Sequence, residues 1–163
     1  AMLGAYQNLT KVNPYDYVLG SLSVNLETVN PDSEETNLIL HYLNSDNVPN
    51  HTLTNIVKVS GLNYNDKEDK KFLKTDNHMM LWHGSPAQNI LSIIKSGLKI
   101  KSAEAPMHGA RFGNGLYFSD CFNLSRCFAA DSNSQRYILL CEVATGNMAN
   151  VLNLNFNGLE KDS

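Results

Sequence analysis

Apolar and polar positions alternate over Leu22-Ser23-Val24-Asn25-Leu26, a period of two that predicts a strand. Before it, Asn13-Pro14 reads as a turn. Pro31-Asp32-Ser33-Glu34-Glu35 has the make-up of a helix start: Asp32 can cap, Glu35 follows within the first turn, and acids suit the positive end of a helix. Leu38, Ile39, Tyr42 and Leu43 then recur at helical spacing, and Asn44 to Asn50 is a polar, proline-bearing break. Ile56, Val57 and Val59 predict another strand. The charged stretch from Asp66 to Lys74 predicts a solvated helix with no binding role.

Met79-Met80-Leu81-Trp82 is fully apolar, the pattern of a buried strand, and runs directly into His83-Gly84. Pro86 suits the first turn of a helix that carries Ile90, Ile93 and Ile94 and ends at Gly97. Lys101 to Gly115 holds Pro106, Gly109, Gly113 and Gly115 and is expected to be a loop; loops of this length in a compact domain are typically functional or mobile. Leu116-Tyr117-Phe118 and Tyr137 to Val143 predict strands, with a short helix near Asn123–Ala130 between them. Helices and strands mix without a strict β-α-β rhythm or an internal repeat, so the fold class is α+β.

Composition narrows the function classes. The chain has 163 residues, about one domain's worth, and 42% hydrophobic residues, enough for a core. Charged residues make up 18% and the net charge is -3, which speaks against a broad basic face for nucleic acid. No apolar run approaches the ~18–20 residues that cross a bilayer, and no basic-then-apolar leader is present, so no membrane partner is expected. Ala1-Met2 reads as a remnant of expression and points to a piece of something longer. Cys121, Cys127 and Cys141 give an odd count with no C-x-x-C pair, which argues against a disulfide framework or zinc cage and suits a reducing compartment. Cys121 and Cys127 are expected to be buried structural thiols.

Generic motifs yield little. Gly109, Gly113 and Gly115 are spaced G-x-x-x-G-x-G, which is neither the dinucleotide fingerprint nor a P-loop. The histidines at 41, 51, 78, 83 and 108 lack ligand pairing, so no metal site is expected. His83 stands apart because it follows an apolar strand at once and Gly84 puts no side chain beside it. Gly84 could offer its N–H and C=O to a flat carboxamide while His83 and Ser85 donate to hydroxyls. The alternative is a histidine that closes a strand and satisfies a neighbouring backbone group.

Several blocks occur in a fixed order: Leu81-Trp82-His83-Gly84-Ser85, Ile93-Ile94-Lys95-Ser96-Gly97-Leu98-Lys99-Ile100, Glu104-Ala105-Pro106, Phe112-Gly113-Asn114-Gly115-Leu116-Tyr117-Phe118-Ser119-Asp120 and Leu139 to Met148. Together they resemble the catalytic domain of the poly(ADP-ribose) polymerases. Asn13-Pro14 and Pro31 to Glu35 are similar to the segment where the DNA-damage-activated members enter this domain, and the likeness covers roughly residues 13–152. It implies an ADP-ribosyltransferase fold, with two mostly antiparallel sheets packed together and flanking helices. Residues 1–20 would be a linker or the remnant of a preceding helical subdomain, and 21–163 the N-terminal part of the catalytic domain.

The resemblance also assigns roles. His83 would hydrogen-bond the adenosine ribose of NAD, with Ser85 beside it. Gly84 would clamp the nicotinamide amide through its backbone, and the Ser125 hydroxyl would complete the clamp. Tyr117 would stack on the nicotinamide ring and Phe128, where the family more often has Tyr, would close the other face. Asn89 and Lys99 fall where members contact the adenine-ribose end, Lys99 standing for the more usual Arg. Lys101 to Asn114 would be the loop over the donor, with Arg111 either near its phosphates or simply solvated. Trp82, Phe118-Ser119-Asp120 and Glu104-Ala105-Pro106 are expected to be structural.

Of the family's His-Tyr-Glu set, His83 and Tyr117 are present. The glutamate lies beyond the end of this chain, because Glu142 aligns with a non-catalytic strand residue and Glu160 sits in a polar tail. The closing strands would be absent too, and the remainder of the domain is expected as a separate chain cut soon after Ser163. The function implied is an NAD-consuming protein ADP-ribosyltransferase, polymer-forming and active in DNA damage and repair, conditional on that glutamate. Alternatives are a mono-ADP-ribosyltransferase or an inactive NAD- or ADP-ribose-binding module. Partners would be NAD and protein acceptors, with DNA reached only through other domains. The location would be nuclear, with the cytoplasm as alternative.

Overall fold

In the computed structural model, which describes residues 13–45, 52–61, 66–100, 113–129 and 135–149, Pro14 opens a helix where a turn was expected. The described elements run α1 (Pro14–Gly20), β1 (Asn25–Thr28), α2 (Glu34–Asn44), β2 (Val57–Ser60), α3 (Asp66–Lys74), β3 (His78–Gly84), α4 (Ala87–Ser96), α5 (Phe122–Arg126) and β4 (Ile138–Ala144). Proline tolerates the first helical position because that N–H has no intrahelical partner in any case, and the Asn13 carbonyl accepts the first bond of the helix from the Tyr17 amide at 3.2 Å. The chain forms two units, Ala1–Asn63 with Gln88–Gly97, and Tyr64–Ala87 with Leu98–Ser163.

The first unit holds the ladder of β1 on β2, antiparallel from Asn25↔Ser60 to Thr28↔Val57. β1 starts later than the alternation predicted because Ser23 sits at φ 55, left-handed backbone that interrupts an extended run, while Leu22 just before it is buried. At the start of α2 the cap is Ser33 rather than Asp32: the Ser33 hydroxyl oxygen accepts from the Thr36 amide at 3.2 Å. Asp32 instead closes a turn, its amide donating to the Asn30 side-chain oxygen at 3.0 Å. Of the apolar residues on α2 only Leu43 is buried, and Leu38 is 64% exposed.

The second unit is built on β3 paired antiparallel with β4, in register from His78↔Ala144 to Gly84↔Ile138. The turn geometry at its far end is pinned by Asn77, at φ 59, whose side-chain amide donates to the Gly146 carbonyl at 2.7 Å. Trp82 is the anchor expected of it. It is 4% exposed and meets Phe122 of α5 edge-on, ring centroids 5.2 Å apart. Two sequence expectations need correction here. Met79 and Met80 are exposed rather than buried, because β3 and β4 form a two-stranded sheet among the described residues. Leu116-Tyr117-Phe118 is no strand: pairing is limited to a bridge at Ser119, which exchanges both backbone bonds with Trp82 at 2.7 and 3.0 Å. The Tyr117 carbonyl, free for a ladder had one formed, is taken by a side chain instead.

The helix near Asn123–Ala130 is shorter than expected and ends at Arg126. Cys127 therefore falls in the following turn, exposed, with its thiol donating to the Asn123 carbonyl at 3.2 Å, and Cys121 is only half-buried; neither is the buried thiol expected. All three cysteines are free, and burial on β4 pushes the Cys141 thiol up to about 11. Among the described residues no helix is long and apolar enough to cross a membrane.

Candidate functional site

The end of β3 carries the site, and Trp82 sets its geometry from below. The indole is held on Phe122, and the Trp82 carbonyl accepts from the Ser125 hydroxyl at 2.9 Å as well as from the Ser119 amide. That ties the last turn of α5 against the strand. The fit is so close that a Cβ on Gly84 would lie 1.7 Å from the Ser125 carbonyl oxygen. Glycine is required here by the approach of a backbone, a tighter reason than the uncluttered surface inferred from sequence.

His83, half-buried on the opposite face of the strand, reaches the segment before α5. Its Nδ1 donates to the Tyr117 carbonyl at 2.8 Å. A carbonyl only accepts, so Nδ1 carries a proton in this bond, and in the neutral ring Nε2 is an acceptor. The ring of Phe118 stands 5.5 Å away, centroid to centroid, and restricts the imidazole further. Tyr117 is itself positioned at both ends, its backbone by His83 and its hydroxyl by the Gly113 carbonyl, which accepts at 2.6 Å.

Trp82-His83, Tyr117 and Ser125 are therefore joined through hydrogen bonds. Ser85 and Ser125 are buried and Phe128 is half-exposed in the turn that α5 leads into. Asn89, on α4, is exposed and belongs to the first unit, while Lys99 is exposed in the second. Arg111, Glu104-Ala105-Pro106 and the rest of the loop up to residue 112, together with Ala130 and Glu160, lie outside the described residues. No group of three or more His, Cys, Asp and Glu suited to a metal occurs among the described residues.

A second histidine was passed over in the sequence and has the fuller set of partners. His78 Nδ1 lies 2.8 Å from Glu142 Oε1, and its Nε2 lies 2.8 Å from the Thr75 carbonyl and 3.1 Å from that of Phe72. Carboxylate and carbonyls only accept, so these bonds are all made only when both ring nitrogens carry protons. The Glu142 hydrogen bond foremost, with the two carbonyls, raises His78 above its ordinary 6.5. No spacing rule could have found this: Glu142 comes from β4, and the carbonyls belong to the end of α3 and the residue after it.

A raised folded value means that the contribution of His78 to stability is complete below about pH 6.5 and is lost as pH rises through the folded value. Melting temperature is accordingly expected to fall across that window, and His78→Gln is expected to flatten the fall. An identical pH profile in the variant would refute the ionic clamp.

Against protein families, residues 33–163 match the model of the "Poly(ADP-ribose) polymerase catalytic domain". Among curated proteins the chain is 36% identical over 132 residues to "Poly [ADP-ribose] polymerase 2" of Zea mays, covering 77% of this chain and 20% of that protein. It is 33% identical over 152 residues to "Poly [ADP-ribose] polymerase 2" of Arabidopsis thaliana, covering 89% and 24%. With "Poly [ADP-ribose] polymerase 1" of Gallus gallus it shares 32% over 147 residues, covering 86% and 14%. The chain thus spans no more than a quarter of the length of these relatives.

Proposed function

This chain belongs to the poly(ADP-ribose) polymerase catalytic-domain family, and from that premise we propose that it forms the nicotinamide- and ribose-binding half of an enzyme that cleaves NAD and transfers ADP-ribose to protein. The observation that carries the reading is the join of His83, Gly84, Tyr117 and Ser125 at one strand end. His83 Nε2 is an acceptor for a ribose hydroxyl. The Gly84 backbone supplies the amide clamp, and Tyr117 and Phe128 supply aromatic faces for the nicotinamide ring. Ser85 adds a hydroxyl beside His83, and Lys99 serves the adenine-ribose end. The Ser125 hydroxyl proton is engaged by the Trp82 carbonyl, so it turns away from that carbonyl to donate to a carboxamide oxygen.

Breaking the bond between nicotinamide and ribose builds positive charge on the sugar, as in glycoside cleavage, and calls for a carboxylate. Glu142 is poorly suited to that task. It is committed to His78, and its β3 partner is Met80, three residues before His83 on the strand. The carboxylate in this reading is a glutamate supplied by sequence beyond these residues. Residues 1–20 act as a linker or the end of a preceding subdomain, and 21–163 as the first part of the catalytic domain. Polymer formation is suggested by the relatives' names, and a DNA-damage setting and a nuclear location belong to the same proposal on the family resemblance alone.

Release of nicotinamide from NAD by the full-length protein is the direct test; binding of NAD without release would instead favour the inactive binding module. Tyr117→Ala is expected to weaken benzamide, a bare aromatic carboxamide, by about tenfold, the worth of a good stacking contact. Tyr117→Phe, which keeps the ring and loses the hydroxyl bonded to Gly113, is expected to retain most of that affinity. Equal loss in both would mean that the hydroxyl, not the ring face, matters.

A further inference from the structure

Two cations at the end of α5 meet no carboxylate among the described residues. Arg126, on the last turn, is half-buried, and its Nε is fully buried with no hydrogen-bond partner. A buried donor left unpaired bears its whole desolvation penalty, so native proteins rarely keep one without an occupant for it. Arg136, leading into β4, donates from Nη1 to the Arg126 carbonyl at 3.1 Å, which brings a second guanidinium to the same turn. Ion pairs among the described residues join Lys58 to Glu35 and His78 to Glu142, and neither arginine meets a carboxylate there. Arg126 directly follows Ser125, whose hydroxyl and carbonyl are fixed against β3, so its backbone is held as firmly as the site itself.

A fork of N–H donors on a fixed turn, joined by a second fork from the neighbouring strand, suits a ligand with several anionic oxygens. We propose that Arg126 and Arg136 bind the diphosphate of an ADP-ribose unit. This rests on the transferase reading of the adjoining pocket and adds to it an anion subsite that the sequence did not suggest: an Arg within Ser125-Arg126-Cys127 carries no spacing signal, and its partner is ten residues on. The same diphosphate chemistry has two sources, NAD itself and an ADP-ribose unit already attached to an acceptor.

Calorimetric titration of the full-length protein with three probes tests the subsite: benzamide, a non-hydrolysable NAD analogue, and ADP-ribose. In Arg126→Gln/Arg136→Gln, benzamide affinity is expected to be unchanged, while at least one diphosphate ligand weakens by about tenfold or more and loses its salt dependence. Loss confined to the NAD analogue assigns the subsite to the donor, and loss confined to ADP-ribose assigns it to the acceptor; each supports the pair as a diphosphate site. Arg136 is exposed, so Arg136→Gln alone repeats the measurement without disturbing packing and is expected to move the same ligand less. Unchanged affinity for both diphosphates with benzamide binding intact overturns the subsite and leaves the transferase reading standing. Failure of benzamide to bind the wild-type protein overturns that reading and the subsite with it.

Discussion

Gly84→Ala is expected to lower the melting temperature by roughly 10 °C or more and to abolish carboxamide binding. The added Cβ would lie 1.7 Å from the Ser125 carbonyl oxygen, 2.7 Å from its carbon and 3.3 Å from the Ala129 amide nitrogen. All three are backbone atoms, so no rotamer change relieves the overlap; either β3 or α5 must retreat. Overpacking costs roughly 1–3 kcal/mol and occasionally more, and a clash with rigid backbone belongs at the top of that range. Retreat of α5 would also break the Ser125–Trp82 bond and loosen Phe122 from the indole. A variant melting within about 2 °C of wild type would mean that α5 does not pack against β3 in solution.

The second large effect is expected at His83, where one ring does two jobs. Its Nδ1–H holds the Tyr117 carbonyl, and its Nε2 is the acceptor proposed for the ribose. His83→Ala removes both, so if the proposed activity holds, kcat/KM for NAD in the full-length protein should fall about 100-fold, in line with losing two good hydrogen bonds. His83→Asn separates them: the amide nitrogen can still reach the Tyr117 carbonyl, but nothing replaces Nε2. About tenfold of the loss should remain in that variant. Were Asn as active as His, the imidazole would be a strand-end device and the ribose contact would lie elsewhere.

The α+β class and the strand that ends at His83-Gly84 were legible in the sequence, whereas what packs around each element was not. His83-Gly84 was legible because an apolar strand ends there abruptly, and a run such as Met79 to Trp82 signals β structure whatever surrounds it. What failed were inferences that depend on neighbours. Burial of Met79 and Met80 was read from composition, whereas exposure depends on how many strands flank β3. Leu116-Tyr117-Phe118 has strand propensity in full, yet a single imidazole competes for the Tyr117 carbonyl and wins. The two capping errors, at Asn13-Pro14 and Asp32, were local: turn and helix start draw on the same residue types. The His78 clamp and the Arg126–Arg136 pair had no sequence signal, because each joins segments that only the ladder of β3 and β4 brings together.

That ladder also constrains how the protein comes into being. Its paired residues lie 54 to 66 positions apart in the chain, from Gly84↔Ile138 to His78↔Ala144. No local hairpin can nucleate the ladder, so it cannot form during synthesis until β4 has left the ribosome, with Met79 and Met80 open to wrong partners meanwhile. The same long closure makes the intervening chain tolerant of changes in length, since doubling a flexible loop adds only about 0.6 kcal/mol to its closing cost. Insertions between the two strands should therefore slow maturation far more than they weaken the finished domain.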